Sequence, residues 1–378
     1  MNMTPSHFRA WAIEQALPLW AGNGFDNSRN LFHERLDFNG QPIALPALRL
    51  MVQARQIATY SRAALRGDHA AGDQALRCLE EVERRYHHAD GASGWIFSLA
   101  PDGHPADCRR DLYAHAFILF AYAWAYRLSG DTGFRTRAWE TSIEIREIFH
   151  ASNGGFLDAA PPYDAIRRQN PHMHLLEAYL ALFEATGEEI YWDFAAELVE
   201  LGVSRFIEPR TSLLLEDFDS NWKPLEPFGH NRAEPGHLFE WSWLLHEYLR
   251  LNAAARDADK LGLIASTLHQ TALAHTAGTT PPVIRDSVSE NGLVINANTR
   301  IWPQTEFIRS LALTIPRQQM ATDATMASIL ENFSAHYIPS TLHGGWIDRL
   351  NADGKSMMDH MPASSLYHIY GAVCETSS

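Results

Sequence analysis

Apolar positions recur along the chain at the three-and-four spacing of helices that bury one face. The pattern predicts twelve helices, near 5–19, 45–66, 69–88, 110–129, 132–150, 171–186, 188–206, 235–254, 257–276, 302–315, 318–336 and 363–375. Arg66-Gly67-Asp68, Ser129-Gly130-Asp131 and Ala185-Thr186-Gly187 are tight helix-to-helix turns, whereas the segments ahead of the even-numbered helices are long. The helices therefore pair. From the fourth onward the even-numbered helices begin near 110, 171, 235, 302 and 363, a repeat of 60 to 67 residues. The long connections repeat as well. Gly94-Trp95-Ile96-Phe97 runs to Pro101-Asp102-Gly103, Gly154-Gly155-Phe156-Leu157 to Pro161-Pro162, Leu213-Leu214-Leu215 to Asp219-Ser220-Asn221, and Gly344-Gly345-Trp346-Ile347 to Ala352-Asp353-Gly354. Each reads as a short β-hairpin. Six helical pairs, each closed by a long connection on one side, predict an all-α fold, an (α/α)6 barrel, as a single catalytic domain over residues 1–378. An open solenoid would need polar capping repeats at its ends. Leu366, Tyr367, Ile369 and Tyr370 make the last helix apolar and favour closure.

Composition leaves that architecture unchanged and narrows the partners. A chain of 378 residues with 46% hydrophobic and 20% charged residues can bury a large core. A net charge of −14 repels nucleic acid and anionic membranes, so neither is expected as a partner. No run approaches the roughly 20 apolar residues of a membrane span. Cys78, Cys108 and Cys374 are scattered, without a CxxC pair, and suggest neither a disulfide framework nor a zinc ribbon. The segment from Met1 to Leu19 lacks an unbroken apolar stretch and does not read as a signal peptide, so a cytoplasmic location is expected. A homodimer is left open. Eleven tryptophans serve core packing and also suit the walls of a sugar pocket.

Unusual polar residues gather where the even-numbered helices begin, which core packing alone does not explain. The fourth carries Asp111, Tyr113 and His115; the sixth His172, His174 and Glu177; the eighth His237, Glu240 and Trp241. The tenth carries Trp302, Gln304 and Glu306, and the twelfth Tyr367 and His368. In a barrel these residues share one rim. Arg55, about ten residues inside the second helix, fits equally a surface salt bridge or a long side chain reaching the cavity. His172 and His174 do not face the same atom, so one packs while the other, taken to be His174, enters the cavity. His237 and Glu240, three apart, share a face, and the carboxylate is expected to orient the imidazole. His368 alone would pass for a core histidine.

No HExxH motif or Cys-His cluster is present, His172-x-His174 lacks a third ligand, and His87-His88 at a helix end reads as a capping or dipole feature. No metal and no other cofactor is expected. Neither a Gly-x-Gly-x-x-Gly after a strand nor a Walker A loop occurs. Asp111, Glu240, Glu306 and Asp348 keep a carboxylate glycosidase open. The rim is led by imidazoles, however, and these suit carbon-acid proton transfer near neutral pH.

Taken together, Asn170-Pro171-His172-Met173-His174-Leu175-Leu176-Glu177-Ala178, Pro235-Gly236-His237-Leu238-Phe239-Glu240-Trp241, Trp302-Pro303-Gln304-Thr305-Glu306 and Tyr367-His368 resemble the N-acylglucosamine 2-epimerase superfamily. The resemblance runs from Arg55 to His368. It implies an (α/α)6 barrel acting on an unphosphorylated sugar without metal or redox cofactor. It implies that His237 and His368 form an acid/base pair, that His174 assists and that Arg55 binds near the reacting oxygens. Glu240 would support its histidine, and Trp302 would form part of the sugar wall. Tyr113, Gln304, Glu306, His172 and Trp346 complete the residues expected to contact the sugar. Cellobiose 2-epimerases carry a tryptophan and a lysine shortly before the terminal Tyr-His. Here that stretch is Pro362-Ala363-Ser364-Ser365-Leu366, which favours a monosaccharide. The expected activity is an aldose–ketose isomerase interconverting D-mannose and D-fructose. A sugar 2-epimerase is the alternative, with a glycosidase or a non-catalytic sugar-binding toroid further off.

Overall fold

The computed structural model describes residues 3–252, 255, 257–320 and 322–377. Among these residues twelve helices appear in the expected order. Helix α1 runs from Pro5–Trp11 through a π-helical turn at Ala12–Ala16 into Leu17–Gly22. The others are α2 (Leu50–Leu65), α3 (Gly72–Tyr86), α4 (Leu112–Ser129), α5 (Thr132–Ile148), α6 (Gln169–Thr186) and α7 (Glu189–Leu201). They continue with α8 (Pro235–Leu251), α9 (Ala258–Ala274), α10 (Ile301–Ala312), α11 (Ala324–Tyr337) and α12 (Ser365–Thr376). Positions 253 and 254, in the helix expected over 235–254, and 321, in that over 318–336, lie outside the described residues.

The even-numbered helices pack in sequence, α2 on α4, α4 on α6, and so on to α12, which returns to α2. The ring is closed. The odd-numbered helices lie outside it, and α1 packs against α12, so the first and last helices make the sixth pair. Closure explains the composition of α4 and α6, which touch neighbours on nearly every side and bury residues all round instead of along one stripe. Gly130 and Gly187 end these two helices at φ +71° and +70°, in the left-handed region where glycine carries no Cβ penalty.

Six short antiparallel pairings join the repeats. Leu48–Arg49 pairs with Ser98–Leu99, Arg110–Asp111 with Ala159–Ala160, and Arg167–Arg168 with Asp217–Phe218. Arg232–Ala233 pairs with Ser287–Ser289, Thr299–Arg300 with Arg349–Leu350, and Arg35–Asp37 with His360–Pro362. In each of them the residues just ahead of an inner helix bond to the connection that follows its outer partner. The Leu48–Arg49 strand also corrects the second helix, which starts at Leu50 and not near 45.

A second device repeats at the fourth residue of the inner helices. Gln53 donates to and accepts from the Phe32 backbone at 2.9 and 2.8 Å, and Gln304 does the same with Ile284 at 2.8 and 3.0 Å. His115 and His172 occupy the equivalent places in α4 and α6. The Nε2 of each accepts a backbone N–H, from Trp95 at 3.1 Å and from Phe156 at 2.9 Å. Each Nδ1 then donates to a carbonyl of its own first turn. This requires neutral rings, and burial lowers both to about 4. These side chains pin incoming loops to the barrel wall. Gly94 and Gly155, at φ +83° and +61°, leave room for the two rings, because a Cβ at either would lie 3.0 Å from the histidine Nε2.

Candidate active site

Helix geometry sorts the inner side chains into layers. Residues four and then three apart stack along one face, so the second, sixth and ninth residues of α4, α6, α8 and α10 form successive tiers down the axis. In α6 these are Asn170, His174 and Glu177; in α10, Trp302, Glu306 and Arg309; in α4, Tyr113, Phe117 and Phe120. In α8 they are Gly236, Glu240 and Trp243, and in α2 Arg55 takes the sixth place. The inner helix N-termini open on a cavity of about 440 Å³ whose walls include Arg55, Tyr113, Asn170, His174, His237, Glu240, Trp302 and His368.

Arg55, His174, His237, His368, Tyr113, Glu240 and Trp302 thus come together as expected. Four other candidates do not. His172 is a loop pin, Gln304 is another, and Trp346 is fully buried against Trp20 with ring centroids 5.3 Å apart. Their side chains are used in holding connections and core together, and none lines the cavity. Glu306 is also fully buried and sits behind His368. Asp111 caps α4 by accepting the Ala114 N–H at 2.8 Å.

Each cavity histidine is held through Nδ1 by a carboxylate. His237 Nδ1 is 2.9 Å from Glu216, His368 Nδ1 is 2.7 Å from Glu306, and His174 Nδ1 is 3.3 Å from Glu177. The expected His237–Glu240 pair is corrected here. Helical side chains lean toward the N-terminus, so His237 in the first turn reaches up to the loop carboxylate of Glu216. Glu240, one tier lower, lies 3.8 Å from His174. Arg309, which sequence reasoning missed, ion-pairs with Glu306 at 2.8 Å and approaches Glu177 at 3.7 Å. Its signal was its spacing, three residues after Glu306 on the same face.

These surroundings push the titrations apart. Burial would lower His237, but the charges of Glu216 and Glu234 outweigh it and raise its pKa, favouring the imidazolium. Burial, then the positive charges of Arg55 and Arg309, holds His368 well below the usual histidine value. Burial brings His174 to about 4 despite Glu177. Burial, with the nearby Glu306 and Glu177, keeps the Glu240 carboxyl well above its ordinary value, and neither of its oxygens has a hydrogen-bond partner among the described residues. Burial raises Glu306 to about 7 against the pull of Arg309. Arg55 donates to the Tyr113 hydroxyl and to the Ser364 carbonyl at 3.2 Å. Its guanidinium lies 4.3 Å from the centre of the Phe117 ring. Trp302 stands beside both histidines, its ring centroid 4.7 Å from His237 and 5.7 Å from His368.

Three buried groups converge closely enough to ligate a cation: His174 with Glu177 and Glu240, His237 with Glu216 and Glu234, and His368 with Glu240 and Glu306. At the mouth, Arg49, Arg168, Arg232 and Arg300 are each neutralised by carboxylates, Arg49 by Glu34 at 2.7 Å and Arg300 by Glu234 and Asp286, both at 2.7 Å.

The family profile described as N-acylglucosamine 2-epimerase matches residues 31–372. The chain belongs to this family. A relative named mannose-6-phosphate isomerase, from Rhizobium meliloti (strain 1021), is 31% identical, the alignment covering 99% of this chain and 97% of that protein. A protein named D-mannose isomerase, from Thermobifida fusca, is also 31% identical, over 56% of this chain and 54% of its own length. The crystal structure of a D-mannose isomerase superposes with a TM-score of 0.83 at 23% identity, covering 98% of this chain and 97% of that one. The epimerase-family barrel expected from the sequence is therefore the fold observed.

Proposed function

We propose that residues 1–378 act as one catalytic domain, an aldose–ketose isomerase that interconverts D-mannose and D-fructose through an enediolate. The carrying observation is the pair His237 and His368. They flank Trp302 in one cavity, each is fixed by a carboxylate at Nδ1, and their protonation preferences are opposite. In this reading neutral His368 removes the C2 proton of the open-chain aldose with Nε2. Charged His237 donates a hydrogen bond to the oxygen that becomes negative, and Arg55 stabilises the same charge. His237 passes its proton to O1 and takes the O2 hydroxyl proton in exchange, while His368 returns its proton to C1, giving the ketose. His174 and Tyr113 position the reactive end, and Trp302 packs against the ring carbons. Glu240, as a neutral acid with free oxygens, donates to a sugar hydroxyl. Every step uses groups of this chain, so no metal is invoked. The ion-paired Arg49, Arg168, Arg232 and Arg300 at the mouth support an uncharged sugar, and Ser364 and Ser365, in place of a large stacking wall for a second ring, support a monosaccharide. The domain is proposed to work in the cytoplasm.

Incubation with D-mannose tests the reading. Fructose appearing before glucose is expected, with slower turnover of D-mannose 6-phosphate. Glucose first would favour the second reading, a sugar 2-epimerase, which the family description supports. Disaccharide cleavage that survives loss of His368 would overturn both.

A further inference from the structure

His87 and His88 take no part in the cavity, yet the fold aims both at one carboxylate. His87 caps the C-terminal end of α3. His88 follows at φ +53°, a left-handed conformation that residues with a Cβ seldom adopt. The result is that both rings turn onto Glu144 of α5. His87 Nε2 lies 3.1 and 3.2 Å from the two carboxylate oxygens, and His88 Nε2 lies 2.5 Å from Oε1. One hydrogen bond or ion pair would need only one of these histidines.

The surroundings fix the three groups. The His87 ring stacks on the buried Trp95 with centroids 4.5 Å apart, and Trp95 Nε1 donates to Thr141 at 3.3 Å. The Gly94 N–H donates to Glu144 Oε1 at 3.1 Å, orienting the carboxylate from behind, as the outer partners of metal ligands do. The His88 side chain is half exposed and leaves one side open to solvent.

We propose that His87, His88 and Glu144 bind a transition-metal dication of the zinc class, with the remaining position open to water. Two imidazole nitrogens and a carboxylate are a donor set suited to Zn²⁺. Tetrahedral bonds of about 2.0–2.1 Å place ligand atoms roughly 3.3 Å apart, so the present separations need only small adjustments. The ion ties the end of α3 to α5, bracing the 88–94 turn between the first two helical pairs. The site is structural and independent of the sugar chemistry.

The test uses full-length protein without a histidine tag, stripped by a chelator and titrated with ZnCl2 by calorimetry, alongside metal analysis and thermal melts. One bound equivalent and a higher Tm are expected for the wild type. His88→Ala and Glu144→Gln should each weaken binding by about tenfold or more and lose the Tm shift, with circular dichroism unchanged. His88→Ala alone decides the matter if Glu144→Gln does not fold. A wild type that binds no zinc overturns the proposal, as does undiminished binding in His88→Ala.

Discussion

Glu216 Oε1 lies 2.9 Å from His237 Nδ1, and both side chains are buried. The carboxylate comes from a loop after Leu213-Leu214-Leu215, not from the helix that carries the histidine. Glu216→Gln keeps a hydrogen-bonding oxygen and removes the charge that raises the His237 pKa. If charged His237 is the active form, activity falls as pH rises through that pKa. We predict that Glu216→Gln moves this alkaline limb to lower pH and reduces kcat by about 10²-fold or more. A kcat–pH profile checks it, and an unmoved limb would show that His237 is not the acid.

His368 is expected to be neutral and to carry the proton between C2 and C1. His368→Asn preserves polarity but cannot accept that proton, so kcat should fall by about 10²- to 10⁴-fold with little change in sugar affinity. Proton exchange between C2 of mannose and deuterated water, followed by NMR, should disappear with it. Exchange that persists while ketose formation stops would move the base elsewhere.

Much of the barrel was legible because its inner helices repeat a strong apolar period and its turns carry glycine. The start of α2 was not, because Leu48–Arg49 forms a strand only by pairing with Ser98–Leu99, fifty residues away. At the site, most residues within helical motifs were found, Arg309 excepted, and the loop carboxylate that holds His237 was missed. Glu216 belongs to no motif, but a signal was present. Asp158, Glu216 and Asp348 follow Leu157, Leu215 and Ile347 at matching points of three connections, and each offers its carbonyl to the first N–H of α4, α6 or α10. The loop acids recur at three of the inner helices, whereas at α2 the matching carbonyl belongs to Phe97. His237–Glu240 failed for a related reason, since helical spacing gives the shared face but not the tier that each side chain reaches.

Gly236 permits the position of Trp302. A Cβ at residue 236 would lie 2.7 Å from the Trp302 ring and 2.9 Å from Pro303. Gly236→Ala therefore pushes the indole off the two histidines. A KM increase for mannose, together with a stability loss of about 1–3 kcal/mol, is the expected outcome of steady-state kinetics and denaturant melts. Unchanged KM would remove Trp302 from the sugar wall.

His172 offers the sharpest separation of scaffold from chemistry, because the same place in α2 and α10 is filled by glutamine. His172→Ala leaves the buried Phe156 N–H without an acceptor, at a cost of about 1–3 kcal/mol. His172→Gln restores an acceptor for that N–H and a donor for the Arg168 carbonyl, as Gln304 does for the Ile284 N–H and the Arg300 carbonyl. We predict that alanine lowers stability in urea melts while glutamine recovers most of it, both variants keeping KM near the wild-type value once folded. If His172 instead touched the sugar, glutamine would raise KM without affecting the melt, and the loop-pin assignment would fail.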